Sequence, residues 1–375
     1  MKRTGFIFII LFGVILKTQS LQAQFTCEGK SCAYLPSNLT SLTNNTYYRF
    51  QKEYLNEVMK TNTEAGFLAN LGGSIVGTGH VRRFQVGVGV SAAGYKKDNI
   101  TVGDTGFKLP ELPNVGGAII PSFNLDFNLG WILGFDDQHY MRRFSVYLHG
   151  VNSAISQKQL EGLSNNKNYE GRITVKSYGG MLRYQVFEKV GFFANVVTWN
   201  GVNLGVGHHV MNESFSLSYL EGKAATIETN GVKGKWGGDT NFEYQTKVRT
   251  THVDLRTGIG LFWFLNVIVG GGYSWNTGDS EISLSRKGPF LIQTAAANII
   301  DLPREYQNQI SPALLSASES GTLGLSAYGS GNSKRKIGYG IVGLEIDVFL
   351  FKIIAEGIYG GQDLYSGNLG VKISF

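Results

Sequence analysis

The chain has 375 residues, with 34 lysines and arginines against 28 acids, 50 glycines, 7 prolines and 2 cysteines. Charged residues make up 17% and hydrophobic ones 42%; soluble domains carry about 25% charge, and no internal apolar run reaches the ~20 residues of a transmembrane helix. This composition excludes a disordered chain, a helical membrane protein and a nucleic-acid-binding domain, which gathers basic residues on one face.

Residues 1–23 read as a cleaved secretory signal. Met1-Lys2-Arg3 is a positive n-region, Phe6 to Leu16 an apolar h-region, and Leu21-Gln22-Ala23 before Gln24 a cleavage site. The signal carries Lys2, Arg3 and Lys17 and no acid, so the formal charge falls from +6 to +3 beyond it. Thr26 stands before Cys27, where lipidation needs a small residue. In an exported chain the only two cysteines, Cys27 and Cys32, predict a small local disulfide. They are too few for a metal site. Within residues 24–65, Asn44-Asn45-Thr46 offers a cap, and Tyr47, Phe50, Tyr54, Leu55 and Val58 recur at helical spacing. A helix near 46–60 follows, either plugging a lumen or lying at its periplasmic mouth.

From residue 66 the period changes to two. Phe84, Val86, Val88, Val90 and Ala92 share one face, and Gln85, Gly87, Gly89, Ser91 and Ala93 the other. Over 119–134 the apolar face is Ile119, Pro121, Phe123, Leu125, Phe127, Leu129, Trp131 and Leu133. Such lengths exceed the usual soluble strand and suit a tilted strand crossing a bilayer. Thirteen candidates lie near 66–77, 84–95, 118–134, 142–153, 171–186, 190–199, 202–210, 214–221, 240–261, 265–277, 336–349, 352–361 and 364–375. An ordinary single-chain barrel with both ends in the periplasm needs an even number. The expectation is therefore an all-β antiparallel transmembrane β-barrel of 12 or 14 strands over 66–375, with a short N-terminal helical segment.

Short connections near 135–141, 187–189, 262–264 and 349–351 alternate with long ones at 96–117, 154–170, 222–239 and 278–335, as periplasmic turns and external loops do. Within the last, 294–300 and 303–315 look helical. The short turns carry aromatics such as Trp131 and Trp263, read as a periplasmic girdle; Tyr95, Trp199, Tyr273, Trp275, Tyr359 and Tyr365 would form an upper one. Arg82, Arg83, Arg142 and Arg143 precede rising strands, where arginine snorkels to lipid phosphates.

These features together resemble Gram-negative outer-membrane β-barrels: a signal, glycine-rich alternating strands, and a final Leu-Gly-Val-Lys-Ile-Ser-Phe. That resemblance implies an outer-membrane location. It also implies that Val371, Ile373 and Phe375 carry a signal read by the barrel-assembly machinery. Met181-Leu182-Arg183-Tyr184-Gln185-Val186 and Trp199-Asn200-Gly201-Val202-Asn203-Leu204-Gly205 resemble spirochaetal surface-adhesin barrels of the leptospiral type. That resemblance implies surface exposure and binding of host extracellular-matrix proteins.

No catalytic motif stands out, and neither an enzyme, a cofactor nor a metal is expected. His208 and His209 are strand neighbours facing opposite ways, and turn chemistry explains Asp136-Asp137-Gln138-His139. Asp254, Arg256, Glu345, Asp347 and Glu356 fall on the polar faces, since a midplane lipid-facing charge costs about 2–4 kcal/mol. They form either an internal ion-pair lattice or a selectivity filter. The functional expectation is an adhesin-like interaction protein acting through its external loops. The alternatives are a passive or selective channel for small solutes and, third, a hydrophobic-substrate transporter.

Overall fold

The computed structural model describes residues 24–34, 39–103, 110–155, 169–192, 196–219, 224–229, 232–293 and 318–375. Residues 1–23, read from the sequence as a signal, and the stretches 294–300 and 303–315 lie outside these.

Among the described residues fourteen strands form one antiparallel sheet, and ten of them close into a ring. The ring runs β2 (Phe84–Ile100), β3 (Leu112–Asn128), β4 (Phe144–Ile155), β5 (Tyr169–Phe187), β7 (Val197–Tyr219), β10 (Thr240–Leu261), β11 (Leu265–Gln293), β12 (Ser318–Val348), β13 (Phe351–Tyr359) and β14 (Leu364–Ser374). β14 pairs back onto β2, with Ser374 opposite Gln85, and closes the barrel. Alternation decides the faces. On β14, Leu364, Ser366, Asn368 and Lys372 are buried inside while Tyr365, Leu369, Val371 and Ile373 are exposed. An apolar outer face and a polar inner one suit lipid outside the wall.

The wall contains ten strands where twelve or fourteen are expected, for two reasons. The candidate at 66–77 is helix and coil inside the barrel. The candidates at 190–199, 202–210 and 214–221 are mostly one strand, β7, preceded by the short β6 (Val190–Phe192). Asn200-Gly201 looks like a turn, yet with Gly201 at φ 72° the two form a bulge opposite Gly258 of β10, and beside it the pairing with β5 slips at Val186. At the base of β3 the alternation also stops early. The Asn128 side chain accepts from Trp131 N–H at 3.0 Å and caps a single helical turn, Leu129–Ile132.

The largest departure concerns 278–335, which reads as one long loop. Residues to Gln293 and from Ser318 instead prolong β11 and β12 to 29 and 31 residues, far beyond the 9 and 11 of β13 and β14. Above Arg286, β11 leaves β10 and pairs with β9 (Val232–Trp236), which pairs with β8 (Ala225–Thr229). On the other side β1 (Gln24–Gly29) pairs with β12 residues 321–326. A five-stranded sheet, β1-β12-β11-β9-β8, therefore stands beyond the wall on the long-loop side. Phe290, Leu323, Phe25, Cys27 and Trp236 pack in it, and Arg286 lies over the Trp236 ring at 4.4 Å. The Cys27–Cys32 disulfide links β1 to the short 3-10 turn that follows it.

From β1 on the long-loop side the chain must descend to reach the base of β2. It does so through the lumen. Helix α1 (Leu39–Arg49), a π-turn (Phe50–Leu55) and helix α2 (Asn56–Leu71) follow one another, each junction residue helical. Asn44-Asn45-Thr46 lies within α1 and caps nothing. From Thr61 to Leu71 every residue of α2 is buried. Coil from Gly72 continues down to Arg83, where β2 begins.

Candidate functional site

The lumen wall holds the descending segment by side chains from nearly every strand. α2 is clasped first. Thr61 Oγ1 bonds Asn114 Oδ1 at 2.7 Å, Thr63 Oγ1 bonds Ser280 Oγ at 2.7 Å, and Asn70 Nδ2 donates to the His209 carbonyl at 3.0 Å. Glu64 pairs with Lys97 (3.1 Å) and Arg335 (2.7 Å) near the outer mouth. Between these polar clasps, Phe67, Leu68, Ala69 and Leu71 form an apolar core with Met211, Val248, Ile120 and Ile341.

Below α2 the backbone has no helix to satisfy it, so each buried N–H and C=O needs another partner. Charged strand residues supply them. Lys372 donates to the Ile75 carbonyl, and Gly77 N–H donates to Glu356 Oε1 at 3.0 Å. Thr78 N–H donates to Glu345 Oε2 at 2.8 Å, Arg256 donates to the Gly77 carbonyl at 3.3 Å, and Asn203 donates to the Thr78 carbonyl at 3.0 Å. The clamp is itself paired. Arg256 bridges Glu356, Arg183 bridges Asp254 at 2.7 Å, Lys352 bridges Glu345 at 3.0 Å and Asp347 at 3.6 Å, and Lys372 bridges Asp126.

All five lumen charges singled out from the sequence therefore face inward, in two ion-pair clusters that hold the coil at Gly77 and Thr78: Asp254, Arg256 and Glu356 with Arg183, and Glu345 with Lys352 and the partly exposed Asp347. The lattice members Arg183, Lys352, Lys372 and Asp126 were not singled out. They sit at inward positions of their strands, a signal the alternation carries. The coil they clamp carries none, because it has no period. Two glycines make the fit. Gly89 gives room for Ile75, whose Cδ1 would lie 1.9 Å from a Cβ there. Gly77 has φ 69°, and a Cβ on it would lie 1.9 Å from Glu345 Oε2. Gly77→Ala is accordingly expected to destabilise the folded barrel by about 1–3 kcal/mol, read as an earlier urea midpoint in lipid vesicles with an unchanged denaturant slope.

Register also assembles a stack unreadable from spacing. The buried rings of His149, His209 and His252 lie 4.9 and 5.0 Å apart in series, and His149 bonds Ser74 of the coil at 2.9 Å. His208 faces out and bonds Thr251. Among the described residues no group of three His, Cys, Asp or Glu side chains is placed to hold a metal ion.

At the base, Trp131 and Trp263 are exposed among other aromatics, and Arg82 and Arg83 are exposed at the rim. Arg142 pairs with Asp137 at 3.2 Å and Arg143 with Glu188, so these two are tied to protein at the rim. Val371, Ile373 and Phe375 face outward, and Phe375 N–H donates to the Phe84 carbonyl at 2.9 Å. The upper girdle keeps Tyr273, Trp275, Tyr359 and Tyr365 on the outside. It loses Tyr95, whose buried hydroxyl accepts from Arg335 inside, and Trp199, which sits at the base opposite Ile259.

Among solved structures, the chain is similar to the outer-membrane protease OmpT of Escherichia coli (10% identity, 78% of this chain and 97% of that one, TM-score 0.36). It is also similar to a FadL homologue of Pseudomonas aeruginosa (11%, 84% and 98%, TM-score 0.25). A third likeness is to Ail, the attachment invasion locus protein of Yersinia pestis (10%, 78% and 97%, TM-score 0.19). No curated protein matches the chain. The Lsa36-like family model matches residues 20–375, which span the N-terminal segment and every strand of the wall. The chain belongs to the Lsa36-like family, and it is an outer-membrane β-barrel.

Proposed function

We propose that this protein is a non-enzymatic, adhesin-like surface protein whose barrel anchors and presents an external binding sheet. The observation that carries this reading is the pairing of a filled lumen with the five-stranded sheet beyond the wall. A passive pore needs neither. The lumen is crossed by the protein's own chain, held by charges that would otherwise line a channel. The sheet, by contrast, builds a surface on strands made several turns of pleat longer than a bilayer requires. Its partners are host extracellular-matrix proteins on this reading, with lipid around the wall. The barrel-assembly machinery would read Val371, Ile373 and Phe375.

Register gives a clean test. Arg286 faces Leu325, so residues 287–324 are replaceable by Asn-Gly, a two-residue hairpin turn. The trimmed barrel is expected to insert into vesicles with unchanged heat-modifiable migration and to lose binding to immobilised matrix proteins. Full binding by the trimmed, inserted barrel would overturn the assignment of the sheet.

A further inference from the structure

The barrel wall is not sealed all round. β3 pairs with β4 only from Asn128↔Ser145 to Phe123↔Gly150, although β3 continues to Leu112 and β4 to Ile155. In that register the next hydrogen-bonded pair would be Pro121 with Asn152. Asn128, an even position, sends its N–H toward β2, to the Arg83 carbonyl. Odd positions of β3 therefore present their N–H groups to β4. Pro121 has none to give, and the ladder ends there.

The edge donors above it are occupied from inside the barrel instead. Gly117 N–H donates to Asn62 Oδ1 of α2 at 3.0 Å. The Glu213 carboxylate of β7 and Ile119 line the same cavity. Higher still, Tyr54 donates to the Pro113 carbonyl. A free sheet edge is costly in a membrane unless its polar groups find partners. Here Gly117 and Pro113 find them without closing the wall.

Behind the opening lies a cavity of about 600 Å³. Ala93 and Ala118 line one side, Ile173, Val175 and Phe215 the other, and Asn62, Thr174, Glu213, Ser214 and Tyr244 supply its polar groups. Pro121 stands seven residues above Asn128, roughly 18 Å up a strand tilted ~40°, within an apolar band about 25 Å tall. The opening therefore adjoins the lipid phase in its outer half. Ile119 and Phe123, 61% and 49% exposed, continue the lipid-facing surface up to its lip.

We propose that this cavity takes an acyl chain of an outer-leaflet lipid, entering sideways between β3 and β4. On the β3 side the apolar outer surface runs up to the opening, the lining is mostly apolar, and α2 stands across the way from the aqueous mouth. The opening lies beside the outward Ile119 and Phe123 of the wall and not at the mouth, so the occupant is the tail of a membrane lipid.

The test uses the chain from Gln24 onward in phosphatidylcholine vesicles doped with a lipid carrying a diazirine in its acyl chain. After irradiation, labelled peptides are located by mass spectrometry. Outward Val206 and Leu255 should be labelled in every correctly inserted protein and report insertion. Inner-wall Val175 and Phe215 should be labelled as well. Their label should be lost in Ala118→Trp, which fills the cavity, and in Pro121→Val, which restores the missing donor and lets the ladder extend. Three results would overturn the proposal. One is no label at Val175 or Phe215 while Val206 and Leu255 are labelled. Another is inner label that persists in both variants. The third is inner label obtained from a water-soluble alkyl diazirine but not from the lipid, which would place entry at the mouth.

Discussion

Removal of residues 24–71 is expected to turn a silent protein into a conducting one. In planar bilayers the chain from Gln24 onward should give no steady current, because α2 is buried on all sides between Thr61 and Leu71. The deletion leaves the wall strands whole, since of these residues only β1 belongs to the sheet and it pairs outside the ring. What it removes is the apolar packing of Phe67 and Leu68 and the clasps at Thr61, Thr63 and Asn70. A lumen lined by Asn114, Thr246, Ser280 and Ser333 then wets, and stepwise conductance should follow. The coil 72–83 remains clamped lower down, so the steps should be small for a ten-stranded ring. A second substitution that frees the coil, Glu345→Gln, should enlarge them. Steady steps from protein that keeps residues 24–71 would show a path around α2 and return the channel reading to the front.

Much of the wall is legible in the sequence, and the failures share a cause. The strand at 240–261 is bounded as observed, because in its lower half outward Val253, Leu255, Ile259 and Leu261 alternate with inward His252, Asp254 and Arg256, and lipid and lumen impose opposite chemistry. Where both sides of an element meet the same surroundings, the period fades. The upper halves of β11 and β12, Asp279–Ser283 and Tyr328–Asn332, are polar on both faces and read as loop. Residues 66–71 of α2 are the converse case. Gly66-Phe67-Leu68-Ala69-Asn70-Leu71 are buried all round, so the helix has no polar stripe to show a 3.6-residue period. The lumen charges were legible individually, since a lipid-facing charge is too costly. Their partners were not, because pairing depends on register, and register shows only in the folded sheet. The same holds for His149, His209 and His252, which approach one another from three strands.

Loss of one carboxylate from the lattice should do more damage than any surface change. Asp254 is buried, 2.7 Å from Arg183 and 3.7 Å from Arg256, and Arg183 is itself buried. Asp254→Asn keeps the shape and removes the charge, leaving a guanidinium in a low-dielectric lumen without its counter-ion. Breaking a buried pair in this way costs about 3–5 kcal/mol. The expected result is a large drop in urea midpoint and migration as unfolded protein at a lower temperature. The surface pair Lys60–Glu57, with side chains 42% and 47% exposed, gives the contrast. Lys60→Ala should cost under about 1 kcal/mol. The double variant Asp254→Asn with Arg183→Met separates charge from packing. Arg183 also donates to the Asn203 carbonyl, so some loss should remain, but the double variant should be more stable than Asp254→Asn alone. If it is instead less stable by the full sum of the two single losses, the two residues do not act as a pair. The lattice would then be a set of independent hydrogen bonds to the coil.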